Sequence, residues 1–288
     1  MKVDFFIVGA PKAGTTSLYH YLSEHPQVEM SIQKEPDYFS DRAIQKQGMY
    51  YGKNRVNTLK KYEALFMQKE AVIYGEGSVS YLFYENVAED IKSYNPNAKI
   101  IIMLRNPIDR AFSHYLMDYR LGLVSDSFED IIDKKSNHKN AHLFYQQYIQ
   151  VGEYANKIQK YFKVFDTDNI LLIDYEDFKI NVAGTVDLVY KFLNISTEFA
   201  ANIGIKHNTF TMPKNKWIRF IYSFVFLRKI LIFIFPTSLV KNIRGFLFKA
   251  NKKPILKEET RVKLKQFFSE NIGRLNDIVG KDYSKWIK

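Results

Sequence analysis

The chain contains no cysteine. Disulfides, thiolate metal sites and cysteine nucleophiles are therefore excluded, and a reducing compartment is permitted. Long apolar runs are also missing. Ile218–Phe248 is rich in aromatic and aliphatic residues, but its longest uninterrupted run is Ile230–Phe235, far short of the ~20 residues that cross a bilayer. The segment reads either as two helices packed on the core and separated at Pro236, or as a basic amphipathic surface for peripheral membrane contact or a lipid-linked substrate. Acidic residues are in deficit: 31 Asp and Glu stand against 42 Lys and Arg, a net charge of +11. An anionic partner is expected, and charge alone does not choose among a nucleotide, an acidic glycan, a nucleic acid and a membrane surface. The first apolar segment, near Phe5, is too short for a signal peptide and leads straight into a glycine loop. A cytoplasmic location is expected, with the inner face of the membrane as a variant.

What is there describes an α/β protein. Asp4–Val8, Val72–Gly75, Lys99–Leu104 and Asn169–Asp174 read as short buried strands. Thr15–Glu24, Ile108–Arg120, Val182–Leu193 and Thr260–Val279 read as helices between and after them. The alternation predicts a P-loop-like parallel sheet with helices on both faces. Val124–Asn140 and Asn202–Lys216 are the most loop-like stretches. One domain is expected over 1–288, with a nucleotide-binding α/β core over 1–200 and a helical C-terminal part over 208–288.

Two constellations carry chemistry. The first is "VGAPKAGTTSL", between a strand and a helix. Backbone N–H groups from Gly14 to Ser17 are expected to point at one spot at the helix N-terminus, an anion site to which Thr15, Thr16 and Ser17 add hydroxyls. A Walker loop places its lysine after the second glycine; here Lys12 comes before Gly14. No strand ends in a clear acidic Mg²⁺ ligand, so kinase or ATPase chemistry is poorly supported. An ammonium at Lys12 suits another transfer, in which charge builds on the oxygen bridging phosphorus and sulfur. The second constellation is "LRNPIDRAFSHY". Arg105 ends a strand where open α/β sheets bind ligands, and Ser113 lies about two turns into the next helix. Together they suit a second phosphate. A ligand with a 5′ anhydride and a 3′ phosphate satisfies both.

In these motifs the chain resembles sulfotransferases that use 3′-phosphoadenosine 5′-phosphosulfate (PAPS). "VGAPKAGTTSL" is similar to the family's 5′-phosphosulfate loop and "LRNPIDRAFSHY" to its 3′-phosphate motif. "GEY" at Gly152–Tyr154, "ILLIDYEDF" at Ile170–Phe178 and "GKDYSKW" at Gly280–Trp286 continue the resemblance in order. It implies transfer of a sulfuryl group to a hydroxyl or amine. PAPS would be held by Lys12, Ala13, Gly14, Thr15, Thr16, Ser17, Arg105, Ser113 and Tyr154, and PAP would be the product, with no metal. "KEPDYFS", Lys34–Ser40, resembles the segment of heparan sulfate-type and related bacterial enzymes whose Glu is the base. That implies Glu35 as base, Asp37 as its neighbour at the acceptor, and Glu76 as a reserve base; Gly77 stands where heparan-type enzymes often carry a lysine. "HNTFTMPKNKW" lies where relatives place a nucleotide-closing loop, which adds Lys214 and Lys216. The implied acceptor is a glycan or glycolipid. The alternatives are the same chemistry on a small natural product, a P-loop phosphotransferase, or a basic nucleic-acid-binding protein, for which no nucleic-acid motif is present.

Overall fold

Phe5–Gly9 (β1) is buried at every position, and it lies in the middle of a five-stranded sheet. The computed structural model describes residues 2–52, 54–67, 73–204 and 254–288, and the backbone of 212–213 and 248–249. The sheet adds Val28–Met30 (β2), Ile73–Gly77 (β3), Lys99–Leu104 (β4) and Ile170–Asp174 (β5) in the order β2–β3–β1–β4–β5. Every neighbouring pair is parallel. After β1 the chain builds one side of the sheet through β2 and β3, then returns to β4 on the other side of β1. That reversal opens a crevice at the carboxyl ends of the central strands, the place where such sheets bind ligands.

Helices flank the sheet. Thr15–Glu24 (α1) follows β1 directly and buries Leu18, Tyr19, Tyr21 and Leu22. Asp41–Gln47 (α2) and Leu59–Glu63 (α3) precede β3, and Val87–Tyr94 (α4) follows it. Pro107–Leu121 (α5) begins where its sequence demands. Asn106 Oδ1 accepts from the Ile108 N–H at 2.9 Å and Pro107 occupies the first turn, an N-cap followed by the one helical position that tolerates proline. Phe128–Ile132 (α6), Ala141–Tyr148 (α7), Tyr154–Val164 (α8), Tyr175–Ile180 (α9) and Val182–Leu193 (α10) complete the core. Glu258–Val279 (α11) closes the chain, burying Leu264, Phe268, Ile272 and Leu275.

The parallel, helix-flanked sheet matches the expectation, with two local differences. The three-residue β2 has too little sequence to show a strand pattern. Val124–Asn140 contains α6, which starts because Ser127 Oγ accepts from the Asp130 N–H at 3.0 Å. Val72, Lys214, Lys216 and the segment from Ile218 to Arg244 lie outside the described residues. Met212–Pro213 (β6) and Phe248–Lys249 (β7) pair as antiparallel strands, an addition to the helical content expected after residue 208.

Gly75 shows how tightly the central strands pack. A Cβ there would lie 2.1 Å from Phe5 Cζ and 2.6 Å from Met30 Sδ. Gly75→Ala is expected to destabilise the protein by about 1–3 kcal/mol through overpacking, measured as a lowered urea midpoint with an unchanged slope. An unchanged midpoint would contradict this packing.

Candidate active site

Gly14 sets the geometry of the loop between β1 and α1. Its φ is +90°, a left-handed value that favours glycine, and a Cβ would stand 3.1 Å from the Tyr175 ring and 3.2 Å from Phe178. Within the loop, Ala13 N–H donates to Ala10 O at 3.3 Å and Ser17 N–H to Gly14 O at 3.0 Å. The amides of Ala13 and Ser17 are thus engaged internally. Those of Gly14, Thr15 and Thr16 make no hydrogen bond among the described residues. Three donors at the positive end of α1 are thus left open, fewer than the four amides the sequence suggested.

Arg105 packs against this loop. Its Nη1 donates to Lys12 O at 2.9 Å, and its guanidinium lies over the Tyr175 ring, 4.6 Å from the centroid. Its Nε is buried and has no partner among the described residues, so the fork keeps a donor for a ligand. Tyr154 sits one layer beneath: its hydroxyl donates to Arg105 O at 3.0 Å, and its ring is fully buried. Tyr154 holds the strand end that presents Arg105, a supporting role. Ser113, on α5, is half-buried, and its hydroxyl makes no hydrogen bond among the described residues. The C-terminal segment braces the motif, with Asn106 Nδ2 donating to Trp286 O at 3.1 Å and Lys285 paired to Asp174 at 3.1 Å.

Lys12 turns inward from a left-handed backbone, φ 68°. Its Nζ donates to Met117 Sδ at 3.3 Å. Burial is the largest influence on the ammonium, and Arg120 and Arg105 add to it; together, against the opposing charges of Asp118 and Glu35, they bring its pKa down to about 8. The group remains mostly protonated at pH 7.

The sequence reading missed what surrounds it. One face of α5 carries Arg110, His114 and Asp118, all buried, at the four-residue spacing that aligns side chains on a helix. Arg110 Nη2 donates to Gln147 O at 2.8 Å and Tyr148 O at 2.5 Å. Asp118 Oδ2 accepts from Tyr50 at 2.7 Å and Tyr148 at 2.8 Å. Burial raises the Asp118 carboxyl to about 6, against the opposing pull of these two hydroxyls and Lys12. Burial holds His114 neutral, well below the usual imidazole range. The signal in the sequence was the four-residue spacing of Arg110, His114 and Asp118 along the helix.

The three acidic residues singled out from the sequence fall in different places. Glu35 rides on the end of β3, its N–H donating to Gly77 O at 2.9 Å with φ 58°. Its side chain is 41% exposed and pairs with Lys34 at 2.5 Å. Asp37 is buried in the same turn. Its N–H donates to Ser78 Oγ at 2.9 Å and its Oδ1 accepts from Ser80 at 2.6 Å, so it shapes the turn beneath Glu35. Glu76 is fully buried, its Oε2 accepting from Tyr62 at 2.9 Å and Tyr81 at 3.0 Å. Contrary to the reserve role considered from the sequence, Glu76 is part of the core and is not presented to an acceptor. The described residues contain no group of three or more His, Asp or Glu arranged to hold a metal.

The fold agrees with comparisons to known proteins. Residues 2–231 match the family model described as a sulfotransferase domain. Human carbohydrate sulfotransferase 15 is 28% identical over 243 residues, covering 66% of this chain and 43% of that protein. The bifunctional heparan sulfate N-deacetylase/N-sulfotransferase 1 of Caenorhabditis briggsae is 26% identical over 67% of this chain and 22% of its own length. The chain thus spans less than half the length of these curated relatives. A crystal structure of a sulfotransferase from Alicyclobacillus acidocaldarius superposes over 100% of both chains with a TM-score of 0.73 and 26% identity.

The charge balance around Lys12 is measurable. In a nuclear magnetic resonance titration of ¹³C-labelled lysines, two resonances are expected to titrate near pH 8, those of Lys12 and Lys157. Lys12→Met should remove the Lys12 resonance. Asp118→Asn, which deletes an opposing negative charge, should move it to lower pH. A Lys12 that titrates with the ordinary lysines would contradict this arrangement.

Proposed function

The chain belongs to the sulfotransferase family, and on that premise we propose that it transfers a sulfuryl group from PAPS to a hydroxyl or amine of a glycan. One observation carries this reading: three unengaged amides at the start of α1 lie in the same loop as the inward-turned Lys12, whose carbonyl is held by Arg105. That combination suits a nucleotide with an anionic group at each end. The relatives named for carbohydrate and heparan sulfate support a glycan acceptor.

In this reading the Gly14–Thr16 amides and the Thr15, Thr16 and Ser17 hydroxyls hold the 5′ end. Arg105 Nε and the Ser113 hydroxyl hold the 3′ phosphate. The acceptor oxygen or nitrogen forms its bond to sulfur as the bond from sulfur to the bridging oxygen breaks. That oxygen leaves on PAP with the bonding pair, and the Lys12 ammonium stabilises its charge. Glu35, exposed at the crevice edge, takes the acceptor proton. Lys12 supplies the positive charge that a metal provides in phosphoryl transfer.

Calorimetric titration with PAP in the absence of metal, beside ATP with Mg²⁺, tests the donor; tight PAP binding with much weaker ATP binding is expected. Lys12→Ala should lower kcat by about 10²–10³-fold and leave PAP affinity nearly unchanged. Arg105→Ala should weaken PAP binding by about 1.5–3 kcal/mol, and Glu35→Gln should lower kcat by about 10²–10⁴-fold. Because only the ammonium form of Lys12 is competent, activity should fall as pH rises through about 8. Preference for ATP with Mg²⁺ would refute the donor assignment.

A further inference from the structure

The closing motif "GKDYSKW", Gly280–Trp286, takes no part in the transfer described above. Gly280 ends α11 with φ 68°, and the chain turns back on that helix. Asn276 holds the turn: its Oδ1 accepts from the Tyr283 N–H at 2.8 Å and its Nδ2 donates to Ser284 Oγ at 3.2 Å. Ser284–Trp286 then form one 3₁₀ turn, with Trp286 buried.

This turn touches residues that set the place of Arg105 from three directions. Asn106, the next residue in the chain, donates from Nδ2 to Trp286 O at 3.1 Å. Tyr154, whose hydroxyl donates to Arg105 O, packs against the Trp286 ring with centroids 6.2 Å apart at 64°. Asp174 on β5 lies in register with Leu104, the residue before Arg105. Its Oδ1 accepts from the Glu176 N–H at 2.9 Å, which caps α9, and its Oδ2 lies 3.1 Å from Lys285 Nζ. Tyr175, the residue after Asp174, carries the ring under the Arg105 guanidinium. From α11 itself, Arg261 donates to Asp109 in the first turn of α5 at 2.9 Å.

The energetics of the Lys285 pair are unequal. Lys285 is about half exposed, whereas the Asp174 side chain is fully enclosed. An exposed pair contributes about 0–1 kcal/mol. Removing the cation here, however, leaves an enclosed carboxylate whose Oδ2 has no hydrogen bond among the described residues, a costlier state. That cost falls on the β5–α9 junction, where Tyr175 begins. The Arg105 side chain makes one hydrogen bond and one ring contact among the described residues. Its direction therefore depends on how the end of β4 and Tyr175 are held.

We propose that Lys285 and Trp286 are positioning residues for the nucleotide: they hold Asp174, Asn106 and Tyr154 so that the Arg105 fork is set for the 3′ phosphate before the nucleotide arrives. The proposal rests on the sulfuryl-transfer reading above. It goes further by assigning part of the donor affinity to a segment outside both nucleotide-binding motifs. Coupling of this kind is reciprocal, so a bound nucleotide steadies the segment in turn.

The test uses the full chain with PAP as the probe. In calorimetry, Lys285→Met should weaken PAP binding by about 3- to 10-fold, and Lys285→Arg, which keeps the ion pair, should bind as the wild type does. In an Arg105→Ala background, Lys285→Met should change PAP affinity by less than about twofold, because its effect passes through Arg105. Hydrogen exchange gives a second reading. The amides of Trp286 and Ile287, bonded to Tyr283 O and Ser284 O, should exchange more slowly when PAP is bound to the wild type, and the slowing should be lost in Arg105→Ala. Lys285 is on the surface, so its variants should fold. Unchanged PAP affinity in Lys285→Met, losses that add fully to those of Arg105→Ala, or exchange at Trp286 and Ile287 that ignores bound PAP would overturn the positioning role and leave the donor reading intact. A wild-type chain that fails to bind PAP would overturn both.

Discussion

The guanidinium of Arg105 is the contact on which the crevice depends. It comes from the end of β4, donates to the backbone of the β1–α1 loop at Lys12, and stacks on Tyr175 at the start of α9. Three crossings of the sheet are thus tied at their carboxyl ends by one planar group. Tyr175 in turn packs where a Cβ on Gly14 would lie, so the ring limits the loop to glycine. Arginine suits this place better than lysine. Its fork can hold a carbonyl with one nitrogen and keep another for a ligand, while its flat face covers an aromatic ring.

A second constraint is the conflict between burial and charge around Lys12. An ammonium enclosed by protein tends to lose its proton, and two nearby arginines add to that tendency. Asp118 opposes it from inside α5, and it is itself held by two tyrosine hydroxyls. Neither group is in its ordinary state, and neither is neutralised by direct contact with the other. Met117, a soft sulfur, occupies the nearest position to the ammonium, so the charge stays weakly solvated and close to the crevice. The same Asp118 fixes Tyr50, which links this balance to the segment after α2.

Glu35, Asp37 and Glu76 show why side-chain type alone does not assign a role. All three lie near ends of segments that reach the crevice, and all three are carboxylates. Glu35 faces solvent; Asp37 is enclosed in a turn with two serines; Glu76 is enclosed with two tyrosines. Glu76 is enclosed because this end of β3 is buried on both sides, with Gly75 and Gly77 buried beside it, while a left-handed backbone turn presents Glu35 outward. Glu76 lies on a short strand with small residues on either side, where a period of two is hard to read.

Local chemistry made much of the protein legible without coordinates. The continuous apolar run of β4, the glycine loop after β1, and the Asn-Pro start of α5 each follow from neighbours in sequence, so the parallel sheet, the loop between β1 and α1 and the position of Arg105 could be read directly. The sequence by itself also determined the absence of thiol chemistry and the strong positive charge. Only the tertiary structure decided which amides of the loop stay unengaged, which acidic residue reaches the surface, and that Tyr50, on a distant loop, completes the hydrogen bonds of Asp118. Those outcomes depend on contacts between segments far apart in the chain, and burial is a property of the folded whole that no short stretch of sequence contains.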